Sequence, residues 1–183
     1  MSHIIEKLQQ EHGEFRVFLK VFDAQLDKFR QGRSPNYELL DALLDFFTSF
    51  PDEWHHQKED LVYDAVIEKA GPMTDSLVDL RAEHEKLAAK AGHFEDRMAH
   101  LRRGSDLPMV EIVEAGEVYD RLLRHHMVKE DQVFFPMAQK ILSVDDWLQI
   151  DDQISQQREN PELVDKMLRI RSVTDVISEI VAE

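Results

Sequence analysis

Two segments of the chain read alike: His55-His56-Gln57-Lys58-Glu59-Asp60-Leu61-Val62-Tyr63 and His126-Met127-Val128-Lys129-Glu130-Asp131-Gln132-Val133-Phe134. Both contain H-x-x-x-E. In an α-helix, residues four apart share a face about one turn, ~5.4 Å, apart, so each motif sets an imidazole beside a carboxylate and can grip one cation. A second pair keeps nearly the same offset: Glu11-His12 precedes Glu83-His84 by 72 residues, and Glu59 precedes Glu130 by 71. The chain therefore reads as one helical hairpin written twice, each copy giving a lone His on its first helix and an H-x-x-x-E on its second.

The apolar stripes show where these groups face. His12 falls between Leu8 and Phe15, and His55 and Glu59 continue the series Leu40, Leu44, Phe47 toward Val62 and Val66. His84 follows Leu80 and precedes Leu87, while His126 and Glu130 lie between Leu122 and Val133. Such spacing marks the buried side of a helix, so all six groups are predicted to point inward. Ionisable groups buried among Leu and Phe are costly without partners. A lone core histidine is usually just hydrogen-bonded, and a lone H-x-x-x-E is usually a solvated pair. Six donors on the inner stripes of four helices, in repeat symmetry, point instead to a bound metal. Off the stripes, His3, His93 and His100 are expected at the surface. His56 and His125 are expected to touch the ligands from outside or to be exposed, and Glu11, Glu83, Asp60 and Asp131 to lie in solvated faces.

Four imidazoles and two carboxylates are too many for one four-coordinate zinc, and His84-Glu85 is followed by Ala88 where H-E-x-x-H needs its second histidine. Two metals fit better. With both carboxylates bridging, each cation takes two nitrogens and shares two oxygens, leaving positions for water, oxo or a diatomic ligand. Imidazole plus carboxylate suits iron first, with manganese or zinc as substitutes. A ferritin-like scheme needs Glu-x-x-His on two helices, and the chain offers it once, at Glu53 and His56.

The rest of the composition narrows the classes. There is no cysteine, which removes thiolate sites and disulfides. With 22 Lys+Arg against 37 Asp+Glu the net charge is −15, which would repel nucleic acid and anionic lipid. No apolar run approaches a membrane span and the start lacks the pattern of a signal peptide, so a cytoplasmic protein is expected.

Gly and Pro together make up only 12 of 183 residues, favouring long helices. The first helix is predicted from Ser2 to about Arg30, ended by Gln31-Gly32-Arg33. Ser34-Pro35 should open a second to about Lys69, bent at Pro51. A third should run from about Thr74 to Arg103, and a fourth from near Pro108 through Tyr119, Leu122, Val133 and Met137, kinked at Pro136. Ser143 should cap a short helix through Trp147, and Asn160-Pro161 should open a terminal one. These elements predict an all-α fold: an antiparallel up-down four-helix bundle over residues 1–142, with one or two additional C-terminal helices in 143–183 that cap the bundle or make a homodimer contact.

The order His12, His55-x-x-x-Glu59, His84, His126-x-x-x-Glu130, followed by Phe134-Phe135-Pro136, resembles the hemerythrin-like, HHE cation-binding domain family. The resemblance covers about His12 to Pro136. It implies that His12, His55, Glu59, His84, His126 and Glu130 ligate two non-haem iron ions joined by oxo or hydroxo bridges. Oxygen-carrying members place a further His one turn after the third-helix ligand, where this chain has Ala88. That departure implies a more symmetric and more open site and weakens the case for simple oxygen carriage. Those members also use an Asp one residue beyond Glu130, a position held here by Asp131.

Two functions follow as expectations. One is a di-iron protein that binds oxygen, nitric oxide or iron itself, for storage, sensing or stress protection. The other is a di-iron enzyme that reduces peroxide or nitric oxide, with Tyr63, Tyr119, Trp54 and Phe134 as aromatic neighbours of the metals. A metal-free helical interaction module is the third reading. Because ligand histidines must be neutral to hold metal, metal-free protein is expected to lose stability below about pH 6.

Overall fold

A computed structural model of the chain describes residues 2–71, 80–158 and 175, all of which are helical or in the short connections between helices. Helix α1 (His3–Arg30) is opened by Ser2, whose hydroxyl accepts from the Ile4 amide, and ended at Gly32. There the Arg33 amide reaches back to the Lys28 carbonyl (2.8 Å) across a glycine at φ +65°, a left-handed stop that other residues resist. Gly104 ends the third rod in the same way, with Ser105 bonded to the His100 carbonyl.

The second rod is α2 (Tyr37–Phe50), a π turn (Pro51–His55) and α3 (His56–Ala70). Its cap is Asn36, not Ser34: the Asn36 side chain accepts from the Leu39 amide at 3.1 Å, while its own amide is held by Gln25. The third rod is α4 (Leu80–Arg102), and the start predicted near Thr74 lies outside the described residues. The fourth is α5 (Met109–Lys129), a second π turn (Glu130–Phe134) and α6 (Phe135–Ile141). Helix α7 (Val144–Arg158) follows. Its Ser143 and Asp146 cap each other, and the helix lies against α3. The terminal helix predicted after Asn160 lies outside the described residues.

Helix α1 packs on α2 and α5, and α4 packs on the same two, which closes a four-helix bundle. The α1–α5 approach is close at Gly116, where an added Cβ would stand 2.8 Å from Leu26.

Both prolines expected to bend the rods sit at π turns. Proline has no N–H to give to the carbonyl four residues back, and its ring crowds that carbonyl. The helix instead widens by one residue, with His56 N–H bonded to the Pro51 carbonyl and Phe135 N–H to the Glu130 carbonyl. The extra residue shifts the stripe beyond it. Val133, predicted inside, is 48% exposed, and Phe134 takes its place at 3%.

Two apolar cores fill the bundle. The larger includes Phe15, Leu19, Phe22, Phe47, Leu87, Phe94 and Leu123. The smaller gathers Ile5, Leu8, Val62, Leu80, Phe134 and Phe135 with Ile150 and Ile154 of α7. On every rod the polar residues singled out by spacing fall between a member of one core and a member of the other, so they form a layer across the bundle.

Candidate metal centre

All six expected residues are buried in that layer, Glu59 and Glu130 completely. Their ring nitrogens and carboxylate oxygens converge from four rods. His12 Nε2 faces His55 Nε2 at 3.0 Å, and both lie near Glu59 Oε1, at 3.5 and 3.1 Å. His12 Nε2 is 3.4 Å from Glu130 Oε2. On the other side, His126 Nε2 lies 3.1 Å from Glu130 Oε1, and His84 Nε2 lies 3.8 Å from that oxygen and 3.5 Å from Glu59 Oε2. Each carboxylate thus sends one oxygen to the His12/His55 pair and the other to the His84/His126 pair.

Two groups of donors each lie within 4.8 Å of one another: His12, His55, Glu59 and Glu130, and His56, Glu59, His84 and His126. Donors about 2.1 Å from one centre and at right angles stand about 3.0 Å apart, which the shortest of these separations match. Among the described residues, both oxygens of Glu59 and Glu130, His126 Nε2 and both nitrogens of His84 make no hydrogen bond. Buried polar atoms in that state carry a desolvation cost that a cation removes, so the donor set fits a metal.

The outer ring nitrogens are held as well. His12 Nδ1 donates to Asp131 (3.1 Å), His55 Nδ1 to Glu11 (2.8 Å) and His126 Nδ1 to Glu83 (3.0 Å), while His84 Nδ1 lies 3.5 Å from Asp60. A carboxylate only accepts, so each bonded Nδ1 carries a proton, and Nε2 is left as the inward nitrogen whose lone pair is freed for a metal when its own proton departs. Each carboxylate is in turn met by a cation: Asp131 by Arg16, Glu11 by Lys58, Glu83 by Lys129 (2.6 Å) and Asp60 by Arg81 (3.7 Å). The four acids expected in solvated faces are therefore the partners of the four histidines. Helical spacing hides this, because the bonds run between rods. The repeat carries a trace of it, since Glu11 and Glu83, Lys58 and Lys129, and Asp60 and Asp131 keep the offsets of the histidines.

Asp131 therefore faces outward from the cluster and Glu130 inward. His3, His93, His100 and His125 are exposed, while His56 is buried and stacks on His84. The rings against the central imidazoles include Phe15 (4.9 Å from His55) and Phe135 (5.6 Å from His12), whereas Tyr119 packs on Phe47 in the larger core.

Without metal the layer is an array of charge pairs. Burial works to lower the His12 pKa, but Asp131, Glu130 and Glu59 outweigh it and lift the value to about 11. Against the same burial, Asp60, Glu130 and Glu59 lift His84 to about 9, and Glu130, Glu83 and Glu59 lift His126 to about 10. Burial would raise Glu59, yet His55 and His12 hold it well below the usual carboxylate range. Histidine protonation therefore favours the metal-free fold, and the expected loss of its stability below about pH 6 is corrected. What acid weakens is metal retention, because protons and metal compete for the same nitrogens.

A family model of the hemerythrin HHE cation-binding domain matches residues 3–138. The chain belongs to that family. Uncharacterized proteins of Mycobacterium tuberculosis and Mycobacterium bovis are each 22% identical to this HHE protein over 147 residues, 75% of its chain and 54% of theirs. The chain spans about half the length of these curated relatives. No solved structure matches it. No helix among the described residues is long and apolar enough to cross a membrane.

The two repeat copies of the HHE domain differ in burial. Lys58 is 2% exposed against Glu11 and under the Trp54 ring, whereas the Lys129 and Glu83 side chains are about a quarter exposed. Removing one partner of a buried pair strands the other charge at a cost of about 3–5 kcal/mol, while a half-solvated pair is worth about 1 kcal/mol or less. Lys58→Ala is therefore expected to lower metal-free stability by about 3 kcal/mol or more and Lys129→Ala by about 1 kcal/mol, read from urea denaturation. Equal losses would contradict this asymmetry.

Proposed function

We propose that the protein is a non-haem di-iron protein in which His12 and His55 hold one iron, His84 and His126 the other, and Glu59 and Glu130 bridge them. The observation that carries this reading is the split of each buried carboxylate, one oxygen toward each pair of imidazoles. Manganese or zinc would fit the same donors. Bound iron would supply open coordination positions and one-electron chemistry toward a diatomic ligand, oxygen or nitric oxide. The chain's own residues keep the Nε2 lone pairs aimed inward through Asp131, Glu11 and Glu83, and Phe15 and Phe135 keep the His12/His55 side dry. Such a protein binds its ligand, or the iron itself, for storage, sensing or protection from stress.

A second reading, an enzyme reducing peroxide or nitric oxide, draws on one observation. A cavity of about 300 Å³ lined by His56, Asp60, Arg81, His84 and Ala88 opens beside the second pair and has room for more than a diatomic molecule. One experiment separates the two. Iron is assayed per chain, the aerobic spectrum is searched for oxo-to-iron charge-transfer bands, and the reduced protein is exposed to oxygen, nitric oxide and peroxide. Two irons per chain with stoichiometric binding and no turnover over many equivalents support the binder, and sustained consumption supports the enzyme. A chain that takes up no iron overturns both.

A further inference from the structure

His55 and His56 are consecutive, yet both are buried and both enter the layer. In a regular α-helix neighbouring side chains diverge by about 100°, which would send one of them away from the core. The π turn that ends at His55 narrows that angle, and His56, the first residue of α3, is carried inward beside it. His55 joins the group with His12. The His56 ring instead stacks on His84, with centroids 3.7 Å apart and planes 5° from parallel, and stands edge-on to His126 at 5.8 Å. Its donor nitrogen lies within 4.8 Å of those offered by Glu59, His84 and His126. The matching position in the other repeat copy is Met127, buried in the larger apolar core, so only one side of the centre gains such a donor.

We propose that the His56 ring, turned about its χ2 out of the stack on His84, is a third imidazole ligand of the second metal position. The turn is needed because parallel rings cannot aim both in-plane lone pairs at one ion. The two positions are then inequivalent, with two nitrogens from His12 and His55 and three from His56, His84 and His126. The assignment rests on the two-metal reading above. It places the nitrogen missing at Ala88 on the neighbouring rod, since Ala88 and His56 line the same cavity beside His84. The three-imidazole position then fills first and holds divalent metal more tightly.

The test is an anaerobic titration of the full metal-free chain with Co(II), followed by calorimetry and visible absorption. Wild type is expected to bind in two steps. His56→Ala should weaken the tighter step by about 10–100-fold, the scale of a lost site-supporting group, and leave the other unchanged. The double variant His56→Ala/Ala88→His should restore the tight step, because residue 88 stands one turn from His84 on the same helix face. The exposed His93→Ala variant should match wild type. A measurement without mutation accompanies these: on adding two equivalents of Zn(II) to wild type, the 15N ring resonance of His56 should move together with those of the four other site histidines. Two unaltered steps in His56→Ala, or an unmoved His56 resonance, would overturn the assignment while leaving the two-metal centre standing. Wild type that binds no metal would instead defeat the two-metal reading itself.

Discussion

A chain carrying Glu59→Ala and Glu130→Ala is expected to retain less than about one-tenth of the wild-type metal, because on the proposed two-metal reading each substitution removes an anionic donor from both positions at once. Glu59 belongs to both donor groups, and the oxygens of Glu130 lie 3.4 Å from His12 and 3.1 Å from His126. Among the described residues, the other acids beside the site are already engaged, Asp60 by His84 and Arg81. Asp131 is engaged by His12 Nδ1 and Arg16, Glu11 by His55 and Lys58, and Glu83 by His126 and Lys129. The variant also leaves imidazoles whose raised pKa depends on those carboxylates, so they lose protons more readily and yet hold metal less well. His55→Ala is expected to abolish iron retention too, whereas His93→Ala, exposed and paired only with Arg97 among the contacts seen, should keep it. Metal per chain, measured by elemental analysis after desalting, decides the matter. Two metals retained by the double variant, or equal loss from the His93 and His55 variants, would refute the bridging role.

The second large effect is proton release. With His12, His126 and His84 raised to about 11, 10 and 9, all three are protonated at pH 7 in metal-free protein and must lose those protons to bind metal. Loading at pH 7 should therefore release about three protons per pair of metals, seen as a dependence of the binding heat on buffer ionisation enthalpy. Stability follows the same groups. A histidine raised from about 6.5 contributes most below that value and loses its contribution as pH climbs through the folded-state pKa. Glu59 and Glu130, both lowered in the fold, contribute above the ordinary carboxylate range near 4.3 and lose it as pH falls. Metal-free protein should thus be most stable from about pH 5 to 6.5 and lose stability progressively from about pH 6.5 to 11, in thermal melts across that range. Metal retention should run the other way and weaken toward acid. Metal fully held at pH 4, or loading without proton release, would count against imidazole ligation.

The helical rods and their two-copy arrangement were legible from spacing, because the period of an α-helix and the breaking power of Gly32, Gly104 and the prolines are local properties of the chain. The same period placed His12, His55, Glu59, His84, His126 and Glu130 on inward stripes, and all six are buried in one layer. Where local logic stopped, the differences are specific. Pro51 and Pro136 were expected to bend their rods. At each the helix widens by one residue, a step that depends on the surrounding packing, and this brings His56 and Phe134 in and turns Val133 out.

The carboxylates show the other limit. From spacing, Glu11, Glu83, Asp60 and Asp131 look like ordinary solvated acids, since nothing on their own helices pairs them with histidine. Their partners stand 24 to 119 residues away on other rods: Asp60 lies near His84, Glu11 meets His55 and Lys58, Glu83 meets His126, and Asp131 meets His12. Residue types and their periodicity were enough to put a ring of nitrogen and oxygen donors inside a helical bundle. Which proton each imidazole keeps, and which acid steadies it, came from contacts between rods, because a hydrogen bond is set by distance and direction in space and not by separation along the chain.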